Sequence, residues 1–334
     1  MRIVVCFLLI VLTSCTGKIG HDVFKSCHSE LTFEMFEVSE LLGNPYQMEI
    51  IDDFLIVADN VDGQGLLIHN LADSMSVRRL PFGQGPGDII PPLALDVDVN
   101  KRLLYVLSRE TGECKIFQPN QLFDGNNFHQ TIDLGMADRF AKVSDGYACS
   151  GLYEDGIFLN FNEDGCSTMV IDSFPDCSIT DISLKYKMLQ GRLSGSHDGK
   201  HLIYAPSYAS YIKFYTQTEN EWVCIDSLCI GNRNIEKRMA GNGNCNLYRT
   251  DYQYCLDICK SDKYFFVLID GNKLNEDGLK KSHYIMKFSF HGQLEHVYKV
   301  HYSVRDICVT DNRMFALMNN EQDGESIIGF VDLK

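Results

Sequence analysis

Basic residues, tryptophan and long apolar runs are all scarce in this sequence, and each shortage closes off a class of function. Thirty Lys and Arg stand against 45 Asp and Glu, a formal net charge of −15 at pH 7. A surface of that sign repels polyanions, so nucleic acid is not an expected partner. The one tryptophan is Trp222. Only Ile3 to Leu12 forms a continuous apolar run, and it is too short to span a bilayer comfortably. No Gly-x-Ser-x-Gly elbow and no His-Glu-x-x-His pair occurs, which leaves serine-hydrolase and zinc-protease chemistry without support. Pro- or Ser-rich linkers are missing too, so the roughly 300 residues after the N-terminal segment are expected to form one domain, as β-chains of that length commonly do.

Cysteine is in surplus. Of 13 cysteines, eleven remain once Cys6 and Cys15 are set aside, an odd number that cannot all pair internally. Most lie in apolar stretches, such as Cys149 after Tyr147-Ala148, Cys224 near Trp222 and Cys308 between Ile307 and Val309. Free cysteine packs as a small hydrophobe, so buried thiols are expected. Cys255 and Cys259, with Cys245 ten residues earlier, do not read as a metal site. On a strand the first two would stand about 13 Å apart at ~3.3 Å per residue, and no second ligand pair completes a tetrahedron. No cofactor is expected.

At the N-terminus Arg2 leads the apolar run, which ends in Leu12-Thr13-Ser14-Cys15. An aliphatic residue, two small residues and a cysteine directly after such a core have the form of a lipobox. Residues 1–14 therefore read as a lipoprotein signal peptide, Cys15 as the lipid-attachment site that holds the chain to a membrane, and residues 15–30 as a tether. Removing Arg2 with the signal leaves 29 Lys and Arg against 45 Asp and Glu, a net charge of −16.

The organising signal of residues 31–334 is a polar turn containing Asp or Asn, followed at once by several apolar residues, six times over. Asp52-Asp53 leads to Phe54-Leu55-Ile56-Val57, Asn100-Lys101-Arg102 to Leu103-Leu104-Tyr105-Val106, and Asp145-Gly146 to Tyr147-Ala148-Cys149. Asp198-Gly199-Lys200 precedes Leu202-Ile203-Tyr204, Asp262-Lys263 precedes Tyr264-Phe265-Phe266-Val267, and Asp311-Asn312-Arg313 precedes Met314-Phe315-Ala316-Leu317. Between Leu55, Leu104, Ala148, Ile203, Phe265 and Phe315 the intervals are 49, 44, 55, 62 and 50 residues. That period suits a four-stranded propeller blade, so the chain is expected to be an all-β, six-bladed β-propeller. Asp and Asn recur in the turns because they tolerate left-handed backbone and bond their own chain. Continuous apolar runs fit strands packed between two neighbouring blades. The sixth copy ends at Lys334 one strand short, and an open edge invites aggregation. Leu31 to Val38 is expected to supply the missing outer strand, which is why a strand is preferred over a helix for Glu34 to Leu42.

The segment Phe82-Gly83-Gln84-Gly85-Pro86-Gly87-Asp88, followed by Pro91-Pro92, resembles the Gly-x-Gly-Pro-Gly-Asp/Glu signature of TolB-like six-bladed propeller lipoproteins of Bacteroidetes. Ser196-His197-Asp198-Gly199-Lys200 is similar to the Ser-Pro-Asp-Gly-Lys turn of TolB-type repeats, with His197 in place of proline. At the level of repeat and landmark the resemblance covers residues 31 to 334, and it implies a lipoprotein of the outer membrane, periplasmic or surface-exposed. Thr16, Gly17 and Lys18 lack the acidic cluster often used for surface display, which favours the periplasmic side.

Local motifs add no chemistry. The three glycines either form an anion nest or a tight turn between blades, the turn being favoured, and Pro91-Pro92 rules out the helix a nucleotide loop needs. Asp96-x-Asp98-x-Asn100 opens like a calcium loop but has Lys101 where glycine is needed and Leu107 where an acid is needed. A sialidase Asp-box is not matched either.

What remains is a site defined by radial geometry at the mouth of the channel. Inner strands are expected to start at Asp88, Arg139, Lys187, Arg249, Asp251, Arg305 and Asp306, and second strands to end at Asp59, Arg109, Glu154 and Asp270. Arg139, Arg249 and Arg305 are the expected basic contacts to an anionic or polar ligand, offset in the free state by Asp251, Asp306 and Asp270. An exported, monomeric binding module for a protein, peptide or glycan is the first reading. A metal-dependent hydrolase or lactonase of the six-bladed type is the second, and a structural envelope component the third.

Overall fold

The structure is a computed structural model that describes residues 29–85, 87–126, 130–177, 179–219, 221–241, 246–274, 283–320 and 324–333. The signal segment, Cys15 and most of the tether lie outside them, as do Pro86 and Cys245.

Two short strands come first, β1 (Ser29–Leu31) and β2 (Glu34–Phe36). Blade one follows as β3 (Gln47–Ile51), β4 (Phe54–Val61), β5 (Gln64–Asn70) and β6 (Ser76–Pro81), and blade two as β7 (Leu93–Asp98), β8 (Leu103–Ser108), β9 (Glu113–Phe117) and β10 (Gln130–Asp133). Blade three is β11 (Ala137–Val143), β12 (Gly146–Gly151), β13 (Phe158–Phe161) and β14 (Ser167–Asp172); blade four is β15 (Gly191–Gly195), β16 (His201–Pro206), β17 (Tyr211–Gln217) and β18 (Trp222–Cys229). Blade five is β19 (Tyr252–Lys260), β20 (Tyr264–Lys273), β21 (His283–Ser289) and β22 (Leu294–Val300), and blade six is β23 (Val304–Val309), β24 (Arg313–Asn319) and β25 (Ser326–Asp332) completed by β2. Each first strand packs beside the first strands of both neighbouring blades, so six sheets close into a ring around an axial channel. The protein is a six-bladed β-propeller.

All six sequence markers fall on the second strand of their blade. Their apolar runs are continuous because a strand sends alternate side chains to opposite faces, and in a propeller both faces are cores. On β4, Leu55 and Val57 join the core shared with blade six, while Ile56 and Ala58 join the core shared with blade two. The hydrophobic interior is thus six interblade wedges. Turn chemistry matches too: Gly199 has φ +68°, and a Cβ there would stand 2.1 Å from the Ser144 backbone nitrogen.

The ring closes as expected from the short last copy. Glu34, Met35 and Phe36 pair antiparallel with Phe330, Gly329 and Ile328. Phe33 is buried in the wedge between blades five and six, and Phe36 packs edge-on against His69, Phe315 and Phe330, tying blade six to blade one. Ser29 and Glu30, read from sequence as tether, instead belong to β1, which pairs parallel with β22. The N-terminal segment therefore straps two consecutive blades.

Among the described residues three helices interrupt the β-pattern: α1 (Pro119–Phe123), α2 (Ile182–Leu189) and α3 (Asn234–Ala240). α2 was hidden in sequence because Ile182, Leu184, Tyr186 and Met188 alternate like a strand. Its helical state is signalled only by Asp181, whose carboxylate caps the N–H groups of Ser183 and Leu184. Burial of Tyr186, Met188 and Leu189 holds the helix on the blade three–four wedge. Free thiols at Cys114, Cys149, Cys255, Cys259 and Cys308 are buried as expected, whereas Cys166 and Cys224 are exposed.

Candidate functional site

The first strands carry a polar lining from one end of the channel to the other. A belt of side-chain-to-backbone bonds links blade to blade: Gln47 pairs with the Leu95 backbone, and Asp96 accepts from the Lys142 N–H at 2.6 Å. Asp257 accepts from the Ile307 N–H at 3.0 Å, and Asp306 accepts from the Met48 N–H at 2.6 Å. These carboxylates satisfy backbone groups that the gaps between sheets leave without ladder partners.

The upper mouth lies where the first strands begin. It holds a cavity of about 270 Å³ whose lining includes Arg139, Arg192 and Arg305 together with Asp138, Asp270 and His283. Local backbone shape puts them there. Register shifts leave Asp138 unpaired on β11 and Arg305 unpaired on β23, and two further shifts interrupt β19 between Gln253 and Asp257. Such bulges turn side chains out of the pleat at the rim of closed sheets. β3, β7 and β15 pair with their second strands without a shift.

The three guanidiniums are under-neutralised. Arg192 donates through Nε to the Leu256 carbonyl at 2.8 Å, and Arg305 donates to Ser326 Oγ at 2.7 Å; neither stands in an ion pair among the described residues. Arg139 reaches Asp138 only at 3.8 Å, and its Nε is buried without a hydrogen-bond partner among the described residues. Burial, then the neighbouring Arg192, pull Arg139 down to about 9, still a cation at neutral pH. Asp138 is committed elsewhere: Arg109 binds it through Nε at 2.8 Å and Tyr186 OH donates to it at 2.7 Å. Although burial opposes its charge, Arg139 and Arg109 hold Asp138 below the ordinary carboxylate range. His283 accepts the Val304 N–H at Nδ1, 3.1 Å, and points Nε2 at Asp270, 3.5 Å.

Of the residues expected from sequence, Arg139, Arg305 and Asp270 line this cavity, Arg109 stands behind Asp138, and Asp306 lies deeper in the channel. Arg249 is exposed and does not line it, and Asp251 is the buried partner of Arg238, anchoring the loop that follows α3. Asp59 bonds Arg78 and the Gly43 N–H, while Lys187 and Glu154 are exposed outside the lining. Arg192 was missed although a signal existed: Arg139, Arg192 and Arg305 precede the markers Ala148, Ile203 and Phe315 by 9, 11 and 10 residues, whereas Lys187 and Arg249 precede theirs by 16. The glycine segment is a turn, as favoured from sequence: Asp88 Oδ2 accepts the Gly85 N–H at 2.8 Å and occupies the space where an anion nest would open.

A six-bladed propeller with an arginine-lined axial mouth is thus the class that fold and site define. No family model and no curated protein matches the sequence. Among solved structures, the chain is similar to a protein of Bacteroides fragilis described as exported, with TM-score 0.59 and 14% identity over 91% of this chain and 95% of that one. It is also similar to a member of the duf4221 family from Bacteroides vulgatus, with TM-score 0.53 and 8% identity over 91% and 98% of the two chains. Similarity at that identity speaks for the fold.

Proposed function

We propose that this chain is an exported, lipid-anchored propeller of the TolB-like kind, and that its upper mouth captures a compact, acceptor-rich anion. The carrying observation is that three arginines converge on one cavity while the nearby carboxylates are engaged by other partners. Half-buried like charges in one cavity repel, and a carboxylate, sulfate or phosphate relieves that repulsion while accepting paired charge-assisted hydrogen bonds. A volume of about 270 Å³ equals about nine waters at ~30 Å³ each, so the ligand is a small molecule or a single anionic group. Export is supported by the lipobox around Cys15 and by the kinship in fold with an exported protein.

The metal-dependent hydrolase reading is disfavoured at this mouth because its acids, Asp138 and Asp270, face Arg109 and Tyr186 in one case and His283 in the other. Calorimetric titration with sulfate tests the binding reading: wild type binds, Arg192→Ala binds about tenfold or more weakly, and Arg249→Ala matches wild type. Equal affinity in wild type and Arg192→Ala overturns it. Palmitate labelling that survives Cys15→Ala overturns the anchor.

A further inference from the structure

We propose that the upper mouth takes up its anion together with a proton, which Asp257 and Asp306 hold between them one layer below the cavity. The inference rests on the anion-binding reading of that mouth.

Asp257 on β19 and Asp306 on β23 belong to adjacent blades, and Asp257 bonds the N–H of Ile307, the residue next to Asp306, which sets the two carboxyl groups side by side across the gap between the blades. Both are buried, at 6% and 0% exposure. Each commits one oxygen to the backbone of the next blade, at Ile307 and Met48. Asp306 Oδ1 is left buried with no donor among the described residues. Two carboxylates in contact in a dry channel cannot both ionise without large cost, and a proton shared between them supplies the missing donor.

The charged groups around the pair give this proton its connection to the cavity. The charges felt by the pair are those of Arg192 on β15, Glu49 on β3 and, for Asp306, Arg305 on its own strand, with the buried thiols of Cys259 and Cys308 in the same field. Toward the lower end, Asp96 on β7 is neutralised by Lys260 at 2.5 Å, and Lys142 on β11 turns away to Glu163 at 3.0 Å. Burial first, then mutual repulsion for Asp306, raise both carboxyls above their ordinary range.

Arg192 therefore stands between the pair and the cavity: its Nε is bound to the Leu256 carbonyl, one residue before Asp257, and its side chain lines the cavity. With the cavity empty, it stabilises negative charge on the pair and eases loss of the proton. An anion seated on Arg192 draws off that stabilisation, so the pair keeps its proton more firmly. Linkage is reciprocal: the proton strengthens anion binding by the same factor. Affinity must then fall as pH rises through the titration of the pair, by no more than about tenfold per pH unit for one proton.

The test is sulfate calorimetry on the mature chain from about pH 5 to about pH 9, in paired buffers of different ionisation enthalpy. Expected are uptake of up to one proton per sulfate, weaker binding at high pH, and an Asp306→Asn variant that binds sulfate with its pH dependence flattened. Asparagine keeps an oxygen for the Met48 N–H; should that variant fail to fold, Asp257→Asn and the wild-type proton count carry the same test. Sulfate binding without proton uptake and without pH dependence overturns the proton linkage and leaves the anion site standing. A slope that disappears in His283→Gln and persists in Asp306→Asn assigns the proton to the histidine and overturns the pair. No sulfate binding at any pH overturns both readings.

Discussion

The two mouths of the channel are built by opposite ends of the same six strands, yet they handle charge in opposite ways. At the lower mouth, a cavity of about 200 Å³ is lined by Glu49, Asp52, Asp262 and Asp311 together with Lys260 and His197. There the buried charges answer one another: Lys260 binds Asp96, and although burial works against it, Asp96 and Glu49 raise its pKa. His197 is pulled down to about 4 by burial and then by Lys260, so it is neutral at physiological pH. At the upper mouth β11, β15 and β23 bring together arginines that no described carboxylate neutralises fully. The lower end is a seal built on one buried ion pair, Lys260 with Asp96, among further acids, and the upper end gathers arginines.

The largest effect is expected from breaking the seal. Lys260→Ala leaves Asp96 buried without its cation, which should cost about 3–5 kcal/mol in urea unfolding. A loss below about 1 kcal/mol would mean that the lower mouth is wet and its ion pair ordinary. Next comes the strap, which serves neither mouth alone. Phe33→Ala should cost about 3 kcal/mol by emptying the wedge between blades five and six, and deletion of residues 31 to 38 should lower Tm further. An unchanged Tm on deletion would refute closure by the N-terminal strand.

pH separates the layers with smaller effects. Asp257 and Asp306 titrate above their ordinary range in the fold, so their contribution is fully present below about pH 4, the unfolded value. It is lost as pH rises through the folded values. Asp138 titrates below its ordinary range, so its contribution is present above about pH 4 and lost as pH falls through the folded value. Relative to wild type, Asp306→Asn should therefore gain stability on the alkaline side, by about 1.4 kcal/mol per unit of raised pKa. Thermal melts across pH check the sign. The smallest stability change is expected for Arg192→Ala, where loss of one hydrogen bond to Leu256, about 1 kcal/mol, is offset by relief of repulsion with Arg139. A loss of several kcal/mol there would turn the upper mouth into a second seal.

Local chemistry along the chain specifies the number of blades, the second strand of each, and closure of blade six by a strand within residues 31 to 38, although Leu31 itself pairs with blade five. Those features are written in local chemistry that repeats: turn residues that accept left-handed backbone, and apolar runs that need two covered faces. It also placed Arg139, Arg305 and Asp270 near the mouth, because radial symmetry converts position in the repeat into position around the axis. Tertiary structure alone decided the rest. α2 forms against an alternating pattern because one cap and one wedge of core outweigh a short stretch of periodicity. Arg192 replaces Lys187 and Arg249 at the mouth because the long connections shift the start of blades four and five by several residues, an offset that repeat counting does not see. The meeting of Asp257 with Asp306 depends on the angle between two blades, set by how six unequal wedges fill one circle, and no local pattern in the chain carries that angle.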